Sequence, residues 1–289
     1  MTRNTPKAMA LGAKLRSARE ATGLSQRTLA KQLKVDQSVI SRNETGERSP
    51  TRDEVSTLLD ALGVEGEQYD EIVESARDTS GSLWQATDLP EQPVQLAALL
   101  DIEQITRKIF SWSPLIVPGL LQVGSYARTI MRLGPVPDGE VETRVAIRMG
   151  RQEILTRKNP THLTALIGEA ALRQRIGGTD VLAEQLHHLL VMSVQPNIDL
   201  RVVTTDTDWH PGLDGPFALL TVDSTTSVVH LENARSAVFL PGADDVEGYR
   251  QAVVQLQGIA LSAEQSTAFI AREAERIANA HDTPVEEVL

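Results

Sequence analysis

The sequence predicts a mostly α-helical protein with a smaller α+β part: a five-helix N-terminal domain and a C-terminal domain of helices around a small mixed β-sheet. Three observations predict this class. Apolar residues recur with helical spacing through the first 77 residues, short β-branched runs appear from residue 162 onward, and hydrophobic residues make up 41% of the chain. We expect residues 1–78 to form the first domain, 79–93 a linker and 94–289 the second domain.

Charge is distributed unevenly along the 289 residues. The net charge is −11, yet residues 1–52 contain eleven Lys and Arg against four Asp and Glu. A basic segment on an acidic chain favours an oriented approach to phosphate. The chain has no cysteine, which excludes disulfides and cysteine-ligated metal. With no signal-peptide pattern and no apolar run of membrane-spanning length, we expect a soluble cytoplasmic protein.

Two short helices with a tight corner between them are predicted over Gln26–Leu33 and Gln37–Glu44. The corner, residues 34–36, is too short for another element, and Asp36 is placed to cap the second helix. The flanking helices of the domain are predicted over residues 8–21, from a Thr51–Glu54 capping box to residue 62, and over residues 67–77. This arrangement is a helix-turn-helix, which indicates DNA binding.

The C-terminal domain is predicted to combine helices and strands. Helices are expected at 94–110, 120–132, 139–156, 179–192, 246–260 and 263–280, and strands at 162–167, 199–203, 217–222, 227–232 and 237–240. Residues 78–82 are the best linker candidate, and residues 83–93 are predicted to be irregular.

The N-terminal domain resembles the phage-repressor-like (Xre) helix-turn-helix family over residues 11–77. The resemblance rests on GLSQRTLAKQL (23–33), VDQSVISRNETG (35–46) and RSPT (48–51). It implies sequence-specific binding of double-stranded DNA.

The resemblance also implies roles for individual residues. The outward face of the second short helix would read bases through Gln37, Ser38, Ser41 and Arg42, since Gln and Arg can bond adenine and guanine edges in bidentate fashion. Phosphate contacts are expected from Gln26, Arg27, Thr45 and Arg48. Arg19 and Glu44 match a structural ion pair. Asn43 departs from the family pattern, which has an apolar or aromatic residue there; it is either more exposed or hydrogen-bonded to the turn or to a phosphate.

Residues 83–280 resemble the C-terminal domain of unknown function of actinobacterial regulators of development and antibiotic production. The segments that carry this resemblance are VPGLLQVGSYAR (117–128), RMGRQEILTRKNP (148–160), LIGEAALRQRIGG (166–178), PNIDLRVV (196–203) and GPFALL (215–220). The resemblance implies that some relatives are antitoxin-like and that many are encoded beside a small partner protein.

Taken without the resemblance, the C-terminal domain shows no catalytic motif, and we expect no enzyme activity, cofactor or metal. The remaining candidates are the pair His187–His188, the loop 206–210, and the strand-end carboxylates Glu169 and Glu232, for which capping or ion-pair roles are favoured. Three roles of this domain stay open: homodimerisation, binding of a small-molecule ligand and binding of a partner protein. The alternative to a transcriptional regulator is an antitoxin-like protein that neutralises its partner, and enzyme activity in the C-terminal domain is a more remote alternative.

Overall fold

The computed structural model describes residues 5–76, 84–86, 91–232 and 237–281. The helices are α1 (Pro6–Ala21), α2 (Gln26–Leu33), α3 (Gln37–Thr45), α4 (Arg52–Leu62), α5 (Glu67–Ser75), α6 (Glu91–Ile105), α7 (Gly124–Leu133), α8 (Val141–Arg151), α9 (Glu169–Arg173), α10 (Gly178–Ser193), α11 (Ala243–Ile259) and α12 (Ala263–His281). The strands are β1 (Trp84–Ala86), β2 (Lys108–Ser113), β3 (His162–Gly168), β4 (Ile198–Val203), β5 (Phe217–Thr221), β6 (Ser227–Glu232) and β7 (Ala237–Leu240). The fold is mostly α with mixed β-structure, which confirms the predicted class. Within the described ranges, no helix is long and apolar enough to cross a membrane.

The described chain divides into two compact units. One contains the residues up to Arg107 together with Leu219–Tyr249, and the other contains Lys108–Ala218 together with the residues from Arg250 onward. Helix α6, assigned to the C-terminal domain from the sequence, contacts α1 in the first unit. The predicted linker 78–82 lies outside the described residues, and the domain boundaries predicted at 78 and 93 stay a prediction.

Helices α1 to α5 enclose a single aliphatic core. Thirteen buried residues from all five helices, or directly after them, form this cluster: Leu11, Leu15, Ala18, Leu29, Ala30, Ile40, Val55, Leu58, Leu59, Leu62, Ile72, Val73 and Ala76. The helix ends have the signals that the sequence predicted. Asp36 caps α3, and the Thr51–Glu54 capping box begins α4 with both reciprocal hydrogen bonds. Gly46 and Gly63 end α3 and α4 with positive φ angles.

The β-structure of the first unit is antiparallel. Strand β1 pairs with β7, with Trp84 opposite Phe239, and β7 pairs with β6. The turn from β5 to β6 is held by Asp223, whose Oδ1 accepts hydrogen bonds from the N–H groups of Thr225 (2.8 Å) and Thr226 (2.9 Å). These bonds, together with a hydrogen bond from the Thr225 hydroxyl, hold the pKa of Asp223 below its usual value although burial works against them.

The second unit is built on the parallel strands β2, β3 and β4. Lys108 on β2 lies opposite His162 on β3, and Leu163 lies opposite Ile198 on β4. The connections between these strands contain helices, as parallel pairing requires. Helix α12 packs on β4 and α10, and it begins with a capping box between Ser262 and Gln265, as predicted.

The structure corrects several of the predicted elements and adds one. The helix predicted over 94–110 ends at Ile105 and is followed by β2, because pairing with β3, which is remote in sequence, outweighs the local periodicity. The segment predicted to be irregular contains β1 and the start of α6. Single 3-10 turns occupy Gly119–Leu121, before α7, and Asp138–Glu140 and Gln152–Leu155, on either side of α8, where longer helices were predicted. The short helix α9 was not predicted.

Candidate nucleic-acid interface

The angle between α2 and α3 is set by a two-residue connection after a left-handed C-cap. Lys34 ends α2 with φ 57° and ψ 37°, the only positive φ of a non-glycine residue in the part of the chain that is described. Such a conformation costs roughly 1 kcal/mol for a residue with a side chain. Asp36 then begins α3 by accepting a hydrogen bond from the N–H of Ser38 at 2.8 Å. Bonds from Ser38 also lower the pKa of Asp36.

A buried ion pair joins α1 to the last turn of α3. Arg19 donates from Nε to Glu44 Oε1 at 2.6 Å and from Nη2 to Glu44 Oε2 at 3.0 Å. Its Nη1 donates to the carbonyl of Leu24 at 2.7 Å. The pair is nearly inaccessible, with side-chain exposures of 9% for Arg19 and 4% for Glu44. The hydrogen bond to Glu44 is the main reason that the pKa of Arg19 lies above its usual value.

Glycine permits the close approach of α1 to α3. A Cβ atom added to Gly12 would lie 2.5 Å from the carbonyl oxygen of Asn43 and 2.7 Å from that of Glu44. One added to Gly46 would lie 2.7 Å from the backbone of Met9. These two positions therefore fix how deeply the N-terminal helix packs behind α3.

Gln26 is hydrogen-bonded to the carboxylate of Glu44, the partner of Arg19. Its Nε2 donates to Glu44 Oε2 at 2.8 Å, so this amide group is engaged inside the domain. The backbone N–H groups of Gln26 and Arg27 begin α2 and have no acceptor within the helix, while the cap residue Ser25 accepts from Thr28. The anion-binding element at Gln26 is therefore the helix N-terminus, with the exposed guanidinium of Arg27 beside it.

The outward face of α3 carries the residues predicted to read bases. Gln37, Ser38 and Arg42 are exposed, and Ser41 is half-buried. Arg42 Nε donates back to the carbonyl of Ser38 at 3.2 Å, which lays the arginine side chain along the helix. The structure thus brings the four side chains together on one helix, and their contacts with DNA remain a prediction.

At the end of α3, two predicted phosphate contacts already have partners within the chain. The Thr45 hydroxyl donates to the carbonyl of Arg42 at 3.4 Å. Arg48 donates from Nη1 to Asn43 Oδ1 at 3.0 Å and from Nη2 to Glu54 Oε1. Asn43 is 3% exposed, so of the alternatives left open by the sequence, the hydrogen bond within the protein is the one observed. This bond comes from Arg48 in the turn after α3, so it is the alternative in which Asn43 is hydrogen-bonded to the turn; the sequence did not indicate which residue of the turn is the donor.

The β5–β6 turn contacts the segment that joins α3 to α4, also within the first unit. The Thr225 hydroxyl donates to Glu47 Oε1 at 2.9 Å, across 178 residues of sequence. Glu47 and Arg48 are neighbours in the segment that joins α3 to α4. No sequence signal pointed to this contact, since both residues are ordinary turn residues.

Two of the C-terminal candidates, Glu169 and His210, have contacts within the described chain. Glu169 is buried, accepts from the N–H (2.8 Å) and hydroxyl (3.1 Å) of Thr205, and contacts Arg173. His187 is exposed, while burial lowers the pKa of the half-buried His188. In the loop 206–210, His210 packs edge-on against Trp112, with ring centroids 5.8 Å apart, and Trp209 is exposed. These contacts do not bring the candidates together in one cluster.

The fold and the matches to known families agree on the class of protein. Residues 10–72 match a helix-turn-helix domain family, which supports DNA binding and a regulatory function. Residues 96–272, more than half of the chain, match the family described as a domain of unknown function (DUF5753), and the chain belongs to that family. These matches confirm both parts of the resemblance, the helix-turn-helix and the C-terminal domain of unknown function. No curated protein matches the chain.

Proposed function

We propose that the protein is a sequence-specific transcriptional regulator of the phage-repressor-like (Xre) type, which binds a pseudo-palindromic operator as a homodimer. The observation that carries the proposal is the position of α3. Its polar face is exposed, while the buried pair of Arg19 and Glu44 fixes its back to α1. A helix held in this way enters the major groove with its N-terminal residues at the base edges.

Within this proposal Gln37 is the principal base-reading residue. It is the first residue of α3 and is exposed, and a glutamine side chain can bond N6 and N7 of adenine together. Arg42 and Ser38 extend the contact along the helix, and Ser41 lies at its edge. The helix N-terminus at Gln26, with Arg27, Thr45 and Arg48, would contact phosphates and set the register.

The test is selection of bound duplexes from a randomised library, followed by affinity measurements on the selected sequence and its single-base variants. Gln37→Ala should weaken specific binding by about 1–3 kcal/mol and relax the preference at one base position. Gln68→Ala, an exposed glutamine on α5, is the matched control and should leave both unchanged. A uniform loss of affinity from Gln37→Ala, with the base preference intact, would contradict the assignment.

Dimerisation is proposed because one such domain contacts few base pairs. A two-fold pair reads half-sites about one helical turn apart. Support within the second unit comes from α11, where Val254 is 69% exposed and Ile259 37% exposed. A monomer by analytical ultracentrifugation at the concentration that saturates DNA, or a selected sequence without symmetry, would refute it.

The C-terminal domain is proposed to bind a partner protein or a ligand rather than to catalyse a reaction. Exposed apolar side chains outside the α-helices and strands of the second unit support protein binding, with Leu115 61%, Trp209 69% and Leu213 63% exposed. If neutralising a small partner encoded nearby is the main role, DNA binding would serve autoregulation. Co-purification from the native host, with operator affinity measured with and without the partner, distinguishes these roles: unchanged affinity beside a clean homodimer would argue against partner control.

A further inference from the structure

Arg48 occupies a fixed position immediately beyond α3. Its N–H donates to the carbonyl of Arg42 at 3.0 Å, which fastens the residue to the last turn of the helix. Its guanidinium donates to Asn43 Oδ1 at 3.0 Å and contacts Glu54. The arginine is therefore held at three points by groups of α3 and α4.

The two side chains that hold the guanidinium differ in burial and in charge. Asn43 is neutral and 3% exposed, so its amide oxygen is a fixed inner acceptor. Glu54 is charged and its side chain is 43% exposed, which makes it the outer partner. The side chain of Arg48 itself is 33% exposed, so that an anion from solvent can reach the outer side of the same fork.

The capping box at the start of α4 anchors Glu54 in this position. Its Oε2 accepts from the N–H of Thr51 at 2.8 Å, and its own N–H donates to the Thr51 hydroxyl at 3.3 Å. Burial works to raise the pKa of Glu54, but the bonds from Arg48 and Thr51 outweigh it, so the pKa lies below its usual value. The carboxylate is thus ionised at neutral pH and is anchored by the start of α4.

A guanidinium fork binds a carboxylate and a phosphate with the same geometry. We propose that Glu54 occupies, in the free protein, the side of Arg48 that a DNA phosphate takes in the complex, so that this phosphate contact is an exchange of partners. Asn43 keeps its hydrogen bond throughout and orients the fork. Glu54 then acts as a positioning residue that lowers the affinity for every sequence alike. This inference rests on the proposed DNA-binding function and adds a residue that limits it.

The test uses the full chain with the substitution Glu54→Gln. Glutamine retains an oxygen that can accept from Thr51, so the capping box is preserved while the negative charge is lost. We expect binding to tighten about two- to fivefold on the selected operator and on a random duplex alike, in proportion to an exposed ion pair. The plot of log affinity against log salt concentration between 50 and 200 mM should become steeper, by up to about the amount that one additional phosphate contact contributes.

Asp53→Asn is the matched control. Asp53 is an exposed acid in the same first turn of α4, so Asp53→Asn removes an equal charge from a residue that is not bonded to Arg48. A second arm introduces Glu54→Gln into Arg48→Gln, where the effect of Glu54→Gln should fall to that of the control. Thermal melting of each variant checks that α4 is intact.

Two outcomes would overturn the exchange. One is an effect of Glu54→Gln equal to that of Asp53→Asn; the other is weaker binding, which would mean that Glu54 helps Arg48 to reach DNA. Failure of the unsubstituted protein to bind any duplex at 50 mM salt would instead overturn the proposed function, so the two failures are distinguishable.

Discussion

Substitution of Glu44 by alanine should be among the most destabilising changes in the N-terminal domain. Three donors converge on its carboxylate: Arg19 Nε at 2.6 Å, Arg19 Nη2 at 3.0 Å and Gln26 Nε2 at 2.8 Å. Glu44→Ala leaves a guanidinium with 9% side-chain exposure whose remaining acidic neighbour is Glu20, 3.5 Å from Nη2 and 53% exposed. Breaking a buried pair in this way costs about 3–5 kcal/mol, whereas an exposed pair is worth about 0–1 kcal/mol.

The measurement is urea denaturation by circular dichroism, with hydrogen exchange of the α1 and α3 amides to separate this domain from the rest of the chain. Glu71→Ala is the control, because Glu71 forms an ion pair of 2.7 Å with Lys14 in the same unit but is 65% exposed. The double variant Arg19→Met/Glu44→Leu should recover most of the loss, since apolar replacements remove the unpaired charge. A cost for Glu44→Ala no larger than that of Glu71→Ala would refute the reasoning.

Two further predictions concern packing and pH. Burial raises the pKa of Asp101 to about 6; the charge of Lys14 lowers this pKa and the charge of Glu71 raises it. The folded chain therefore binds the proton of Asp101 more tightly than the unfolded chain does. The contribution of Asp101 to stability is present below about pH 4 and is lost as the pH rises through about 6. Asp101→Asn should raise the free energy of unfolding by about 1–2 kcal/mol at pH 8 and by almost nothing at pH 4. The value at pH 8 is smaller than the pKa shift alone would give, because 27% of the side chain is exposed to water. Equal effects at both pH values would contradict this prediction. Gly12→Ala should lower the free energy of unfolding by about 1–3 kcal/mol in the same denaturation assay, because the new methyl group meets the backbone of α3. Gly150→Ala in α8 is the control: its methyl group meets nothing within 4 Å, so it should stabilise by about 0.5–1 kcal/mol. A neutral Gly12→Ala would show that α1 can shift freely.

The N-terminal domain was predictable because its signals are local. Caps such as Asp36, the Thr51–Glu54 box and the terminal glycines lie within a few residues of the helices they bound, and the apolar spacing of α1 to α5 reports one core. The Arg19–Glu44 contact, by contrast, joins residues 25 apart, and it was anticipated only through the resemblance to a known family.

The remaining features depend on contacts that a local pattern does not contain. Strand β2 continues the apolar spacing of α6 and becomes a strand because β3, more than 50 residues later, offers a parallel partner. Strand β1 is too short for a periodic signal and is paired with β7. At the candidate interface, Arg48 and Asn43 were predicted to lie at or just after the end of α3. Their mutual hydrogen bond and the ion pair of Arg48 with Glu54 follow from the path of the α3–α4 turn.

The first unit is assembled from two parts of the chain separated by the whole of Lys108–Ala218. During synthesis at roughly 5–20 residues per second, about 6–22 s therefore pass between the emergence of α1 to α6 and that of the strands from β5 to β7. The helices of the helix-turn-helix domain can fold in this interval. The pairing of β1 with β7 and the hydrogen bond from Thr225 to Glu47 can form only after the later residues have been synthesised. The nascent chain can thus present its helix-turn-helix before the contacts from its later residues exist, and pairing of β7 with β1 then completes the unit.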